Sequence, residues 1–428
     1  MSAAEDRLIE QALAVLRRND VAGYTKPSGR LYPHQWNWDS AFIAMGLAHV
    51  DWPRAVREVE SLLAGRWTNG MIPHIRYNPT VKDYAPGPEW WPGVPVAETG
   101  EITSGISQPP VLPSAVLEVG RLQTDEDARH RWWAQTFAPL RESLLYFTRE
   151  RTRPGSPLII VVHPWESGAD NSPRWDFVTG RGFRPTRPYR RVDTTVVDPA
   201  VRPTARDYDL YMYLVELIAA HRYDLAAYLP KTPFAVYDAL FNAVWYRAAR
   251  DLNRIAGALG RPPAIGDEAL AAFRHAYHAT LWDEQAGMFR DYDVHAGRQL
   301  AVDTVAGLMA IYGGLVDASQ AARMTAEYRD RCRTCIRFPS VPPGQPGFDP
   351  MKYWRGPVWV SINWMLLRGL QSLGLAAEAA EVRAQTLELV GTKGFYEYFH
   401  AYSGDGLGGD DFSWSAALTI DLIRRPAG

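Results

Sequence analysis

Apolar positions recur at i, i+3 and i+4 through most of the chain, the period of helices that bury one face. The pattern predicts helices over 4–18, 39–50, 53–64, 110–122, 128–150, 206–226, 233–258, 267–281, 303–315, 317–329, 358–373, 375–390 and 412–424. Gly, Pro and Asn/Asp stops separate them. Only LIIVVHP (158–164) and MFRDYDVHAGRQLAV (288–302) read as strands, the second as a small hairpin turning at Ala296-Gly297. No Ser/Gly linker, low-complexity tract, charge block or close short repeat divides the chain. About a dozen paired helices without interruption predict one all-α domain over residues 1–428. Its expected form is a toroid of inner and outer helices around a central funnel. A right-handed superhelix of helix hairpins is the competing arrangement.

Charge narrows the partners. The chain carries 46 Lys+Arg against 48 Asp+Glu, a net charge of −2. A nucleic-acid or anionic-membrane partner would want a basic excess or stripe. The opening MSAAEDRLIEQALAVLRRND scatters charges among its apolar positions, unlike a signal peptide, and no uncharged apolar run has the length of a membrane span. The expectation is a cytoplasmic protein with a small-molecule partner and neither nucleic acid nor membrane. Oligomeric state leaves no mark in the sequence, and a homo-oligomer stays open. The two cysteines, Cys332 and Cys335, form a single Cys-x-x-Cys. A tetrathiolate zinc site needs a second pair, so they read as reduced thiols near a helix end.

The aromatic content is the unusual feature: 16 Trp, 21 Tyr and 14 Phe. Trp36, Trp38, Trp67, Trp90, Trp91, Trp165, Trp175, Trp354, Trp359 and Trp414 fall in or beside Gly/Pro/Asp-rich segments rather than mid-helix. Indoles on a rigid scaffold beside carboxylates and amides suit the apolar faces and hydroxyl edges of sugars. They also wedge loops onto a core. Segments 66–109 and 151–205 exceed what helix–helix connections need, and such loops are commonly functional.

Four constellations carry chemistry. LYPHQWNWDSAFIAMGLAHV (31–50) places Asp39 just at a helix start, where it is either an N-cap or an acceptor of sugar hydroxyls. HPWESGADNSPRWD (163–176) holds Glu166, Asp170 and Asp176 with two tryptophans. A carboxyl beside indoles is partly desolvated, so its pKa rises toward that of a general acid. FDPMKYWRGPVWVSINW (348–364) puts Arg355 before an apolar helix, and GFYEYFHAYSGDGLGGDDFSWSAA (394–417) flanks Glu397 with Tyr396 and Tyr398. The GLGGDD run lacks the strand, spacing and Lys of a phosphate loop. No G-x-S-x-G, H-E-x-x-H or Walker loop is present, and no tight His pair suggests a metal; His34, His74, His163 and His400 read as hydrogen-bonding loop residues. Two carboxylates on separate aromatic loops over a helical scaffold are the equipment of glycoside hydrolysis, with no cofactor required.

At these residues the sequence resembles family 63 of the glycoside hydrolases. ESGADNSPRWD resembles the family's acid-bearing segment, and YWRGPVWVSINW, GISQPPV (105–111), GFYEYFHAYSG and GGDDFSWSAA complete the set. HQWNWDSAF, NGMIPHIRYNP and RPTARDYDLYMYL look most like the bacterial mannosylglycerate and glucosylglycerate hydrolases of that family. The resemblance, from about residue 30 to 420, implies an (α/α)6 barrel and inversion at the anomeric carbon. It implies Asp170 as general acid and Glu397 as general base. The sugar subsite falls on Tyr32, Trp36, Trp38, Asp39, Gln108, Tyr353 and Trp354, and the glycerate side on Tyr84, Arg202 and Tyr208. His74 and Trp175, from the same aromatic loops, complete the candidate substrate-binding set. Arg202 would hold a carboxylate through its planar fork; a solvated basic loop with Arg184, Arg187, Arg190, Arg191 and Arg206 is the alternative. Ala169 stands where trehalases carry Trp, which argues against trehalose. Other readings are an α-glucosidase for another short α-glucoside, a glycoside phosphorylase, and a non-catalytic sugar-binding protein. Turnover of neutral disaccharides, a requirement for phosphate, and ligand left intact would identify each in turn.

Overall fold

A computed structural model describes residues 2–98, 100–336 and 338–425. The ends of the expected domain, residue 1 and residues 426–428, lie outside the described residues. Six helices form an inner ring: Asn37–Leu47, Leu112–Arg121, Ala239–Ala258, Met309–Gly313 with the 3-10 turn Val305–Leu308 before it, Val360–Ser372 and Ser413–Arg424. Each touches the next, and the last packs on the first. Trp52–Ala64, Glu126–Glu150, Asp267–Leu281, Ala318–Arg331, Ala376–Lys393 and Ala3–Asn19 lie outside them. The result is an (α/α)6 barrel; closure of the ring excludes the open superhelix.

Residue patterns explain which helices are inner. All of Asn37–Leu47 and all but the last residue of Ser413–Arg424 are buried, as a helix apolar on every side must be. Trp52–Ala64 instead buries a stripe of Arg54, Ala55, Glu58, Val59, Leu62 and Leu63. The ring closes at a close approach: a Cβ on Gly46 would lie 2.2 Å from the carbonyl oxygen of Ala417, so only glycine fits.

The structure departs from expectation in three places. Residues 158–164 are buried but form no strand; a single bridge joins Val161 to Val236. Other partners take the ladder's place: Asn242 holds both backbone groups of Ile159, and Glu166 accepts from the Val162 amide. The predicted helix 206–226 ends at Ala220, where Arg222 and Tyr223 adopt positive φ of 56° and 64°. The predicted helix 233–258 starts only after Asp238, whose carboxylate caps it by accepting from the Phe241 amide. Val236–Tyr237 instead pair with Tyr292–Asp293, adding a strand to the hairpin that turns before Arg298–Gln299.

The inner helices run parallel. Their leading residues or preceding loops (Trp38, Gln108, Trp354, Trp414) line one cavity, and their trailing ends gather at the floor. There Glu118 takes Arg368 at 3.2 Å and Arg425 at 2.5 Å, and Asp421 takes Arg425 at 2.6 Å and His49 at 2.8 Å. Basic side chains thus meet the negative ends of the helix dipoles, while the positive ends face the cavity. Among the described residues, no helix is long and apolar enough to cross a membrane. Cys332 caps the end of Ala318–Arg331; both thiols are free, and burial pushes both up.

Candidate active site

The loops at the N-terminal ends of the inner helices enclose a cavity of about 710 Å³, its mouth included. Both expected catalytic carboxyls, Asp170 and Glu397, line it, with Tyr32, Trp36, Trp38, Asp39, His74, Tyr84, Gln108, Arg202, Tyr208, Tyr353 and Trp354. The loops before the first and last inner helices thus reach the same space from opposite ends of the sequence.

Each wall has a local cause. Helix Asn37–Leu47 begins after Trp36, which caps it without a side-chain hydrogen bond, so Asp39 is not the N-cap. Its carboxylate is free of that task and is 4% exposed; burial, then the charge of Glu397, holds it well above the usual carboxylate range. Gln108 accepts the Trp38 amide at 3.3 Å. Trp354 stacks on Trp359 at 3.7 Å and 3°. Tyr353 sits at φ 45°, a strained setting for a non-glycine residue. Asn171 holds that turn twice: its side chain accepts the Trp354 amide at 3.0 Å, and its backbone carbonyl accepts the Arg355 guanidinium at 3.2 Å. His74 has its Nδ1 at 2.5 Å from the Ser104 hydroxyl; burial holds the ring well below the usual histidine range, so it is neutral.

The two carboxyls differ in surroundings. Glu397 receives the Tyr32 hydroxyl at 2.7 Å, the Gly409 amide at 3.0 Å and Arg202 Nη1 at 3.3 and 3.4 Å. A Cβ on Gly408 would meet its Oε2 at 2.3 Å, so glycine is what lets this loop wrap the carboxylate. No other described residue donates a side-chain hydrogen bond to Asp170. Burial raises it to about 7; Arg202 opposes the rise, and Glu397 and Asp207 reinforce it. A carboxyl raised by burial and a carboxyl held by three donor groups therefore face a common cavity, the asymmetry that acid–base chemistry needs.

Two expectations need correction. Trp175 is not a lining residue: it is 1% exposed, packs on Phe234 at 5.1 Å and donates its indole N–H to the Ala169 carbonyl at 2.9 Å. It wedges the acid loop onto the core. Trp165 lines the cavity in its place, stacked on His74 at 6.0 Å. Arg202 does not present an open fork: besides Glu397 it donates to Asp193 at 3.3 Å and to the Tyr32 hydroxyl at 3.0 Å. Arg202→Lys should therefore lose about 1.5–3 kcal/mol of transition-state stabilisation. The loss should appear on neutral aryl α-glycosides as well as acidic ones, read as kcat/KM on both; a neutral substrate left untouched would mean that the contact to Glu397 is idle.

The candidate substrate-binding set also left out Phe412 and Trp414, which sit where the last inner helix starts and line the cavity, Trp414 against Trp38. Their place in GGDDFSWSAA was the available signal. In the long loop 66–109, Tyr84, Ala85 and Pro86 reach the cavity, whereas Trp90 and Trp91 are buried against the fold. Asp176 pairs with Arg355 at 2.6 Å, joining the acid loop to the Tyr353 loop. Among the described residues, no cluster of His, Cys, Asp or Glu is arranged to hold a metal ion.

The chain is similar to known proteins. The family model of the mannosylglycerate hydrolase MGH1-like glycoside hydrolase domain matches residues 32–415. A mannosylglycerate hydrolase of Thermus thermophilus is 39% identical, over 97% of this chain and 100% of that protein. The glucosylglycerate hydrolase of Mycolicibacterium hassiacum is 34% identical, over 97% and 98%. The crystal structure of a family 63 mannosylglycerate hydrolase from Thermus thermophilus with Tris and D-glycerate superimposes with a TM-score of 0.92 at 39% identity, covering 97% of this chain and 100% of that one. With cavity, paired carboxyls and full-length relatives in agreement, the chain belongs to the mannosylglycerate hydrolase MGH1-like glycoside hydrolases of family 63.

Proposed function

We propose that the protein hydrolyses 2-O-α-D-mannosyl-D-glycerate, 2-O-α-D-glucosyl-D-glycerate or both, releasing hexose and glycerate with inversion, and that residues 1–428 act as one catalytic domain. The observation that carries this reading is the contrast between Asp170, raised to about 7 with no side-chain donor among the described residues, and Glu397, held by three donor groups. Asp170 protonates the glycosidic oxygen as the bond to the anomeric carbon breaks. Glu397 removes a proton from a water that attacks the opposite face. The sugar sits against Trp36, Trp38 and Trp354, with Asp39 and Gln108 on its hydroxyls. Glycerate lies toward Tyr84, Tyr208 and Arg202, where an anion also meets the positive ends of the inner helices.

Because the acid must carry its proton, kcat/KM should fall as pH rises through about 7, the value to which Asp170 is raised. A profile flat from pH 6 to 9 would remove Asp170 from that role. The reading itself is tested by incubating the protein with glycerate-linked and neutral α-glycosides and following the released hexose by NMR. The β-anomer should appear first, and only from the glycerate-linked substrates at full rate. Release of the α-anomer would refute inversion. A requirement for inorganic phosphate, or equal rates on neutral disaccharides, would redirect the assignment to a phosphorylase or another α-glucosidase.

A further inference from the structure

Asp193 does not line the cavity, yet it is the hub of a buried row of charges that ends on the base. It opens the single-turn helix Asp193–Val196 in the long loop before Arg202 and is 7% exposed. Its carboxylate accepts Arg191 Nε at 3.1 Å and Nη2 at 2.7 Å, and Arg202 Nε at 3.3 Å. Arg202 in turn reaches Glu397 at 3.3 Å. Arg191, Asp193, Arg202 and Glu397 therefore alternate cation, anion, cation, anion from the loop surface inward.

Aromatic faces hold both guanidinium groups in place. Arg191 lies over the Tyr208 ring at 3.9 Å, and Arg202 lies over the Tyr353 ring at 4.3 Å. With its Nε on Asp193 and its terminal nitrogens on Glu397 and Tyr32, Arg202 has no freedom to turn away from the base. In so enclosed a row each charge is felt by the next but one, because little solvent lies between to screen it.

We propose that Asp193 is a positioning residue that acts through Arg202 to set the field at both reacting carboxyls, and that Arg191 is the counter-charge that trims it. The proposal rests on the acid and base roles given above to Asp170 and Glu397. Around Asp193 stand Arg191, Arg202 and the hydroxyls of Tyr208, Tyr84 and Tyr398. Glu397 faces Arg202, Tyr32, Tyr353, Tyr398 and Asp39, and Asp170 faces Arg202, Glu397, Asp207, Tyr353, Tyr84 and Tyr211. Of these groups, Asp193 and Arg191 can be neutralised without removing one that touches substrate.

The two neutralisations have opposite signs. Asp193→Asn removes an anion, so Arg202 acts undiluted and protonation of both carboxyls becomes harder. Both limbs of the pH profile of kcat/KM should move to lower pH. Arg191→Gln leaves Asp193 uncompensated, and both limbs should move to higher pH. A unit charge at this remove moves each limb by about half to one pH unit. The double variant should return toward the parent profile. Loss of rate in both variants with limbs unmoved, or moved in the same direction, would overturn the proposal and leave Asp193 a structural brace. Should Asp193→Asn fail to fold, Arg191→Gln still decides: an upward shift supports the proposal, and its absence refutes it. A bell-shaped parent profile that neither variant moves sinks this proposal alone. A parent profile with no limbs sinks the acid–base reading and this proposal with it.

Discussion

Asp170→Asn should slow hydrolysis of a glycerate-linked α-glycoside by about 10²–10⁴-fold, the usual contribution of a positioned general acid. The same variant should nearly keep its rate on the matching α-glycosyl fluoride, whose leaving group departs without a proton. Glu397→Gln should lose a comparable factor on both substrates, because each needs the attacking water deprotonated. Circular dichroism and thermal unfolding should stay close to the parent for Asp170→Asn, since no other described residue donates a side-chain hydrogen bond to that carboxyl. If the fluoride and the natural glycoside fall together in Asp170→Asn, the residue is not the acid. If Glu397→Gln spares the fluoride, the base lies elsewhere.

The second large effect concerns stability and falls on Glu166, in the same acid loop. Glu166 is 1% exposed and receives Arg151 through both oxygens, one of them at 2.8 Å. It also accepts the amides of Val162 at 2.9 Å and Ser107 at 3.2 Å. These bonds join the end of helix Glu126–Glu150, the extended run 158–162 and the Gln108 loop beneath the cavity. Glu166→Ala should destabilise the fold by about 3–5 kcal/mol, because it strands a buried guanidinium. Denaturant unfolding of the purified variants measures it. Replacing the pair together, Arg151→Met with Glu166→Leu, should recover much of the loss, since no buried charge is then left alone. An unchanged midpoint in Glu166→Ala would show that water reaches Arg151 and that the pair carries no such weight.

Much of this architecture was legible in the chain because helical periodicity is a local property. The outer stripe of Trp52–Ala64 and the fully buried Asn37–Leu47 announce their positions residue by residue. The site loops were legible for a different reason: carboxylates, indoles and glycines crowd together there without serving a helix. What could not be read was decided by distant partners. Residues 158–164 have the composition of a strand, but Asn242, 83 residues on from Ile159, satisfies the backbone that a ladder would have used. Trp165 and Trp175 share one loop and one residue type; the 3-10 turn Pro164–Ser167 and the turn Pro173–Trp175 aim one ring at the cavity and the other at Phe234. Arg202 looked free because Glu397 and Tyr32, two of its partners, lie in other segments, Glu397 being 195 residues away. Asp39 stayed open between a cap and a sugar ligand because the start of its helix is set by Trp36, whose strand pairs with Ile75–Arg76.

The contact between the first and last inner helices has a bearing on how the protein is made. Tyr32, Trp36 and Asp39 enter the cavity at the start of one helix, and Glu397, Phe412 and Trp414 enter beside the other. Asn19 and Arg18 then fasten the start of the chain to Asp411 and Ser413. A nascent chain can form successive helix pairs as they emerge, but its site lacks Glu397, Phe412 and Trp414 until the last segment is synthesised and docks. Contacts of such sequence separation form late, since most of the chain must order before they can close. Catalytic activity in this protein is therefore a report on the last step of folding, and an early-terminated chain exposes the flank of Asn37–Leu47 that the last helix would cover.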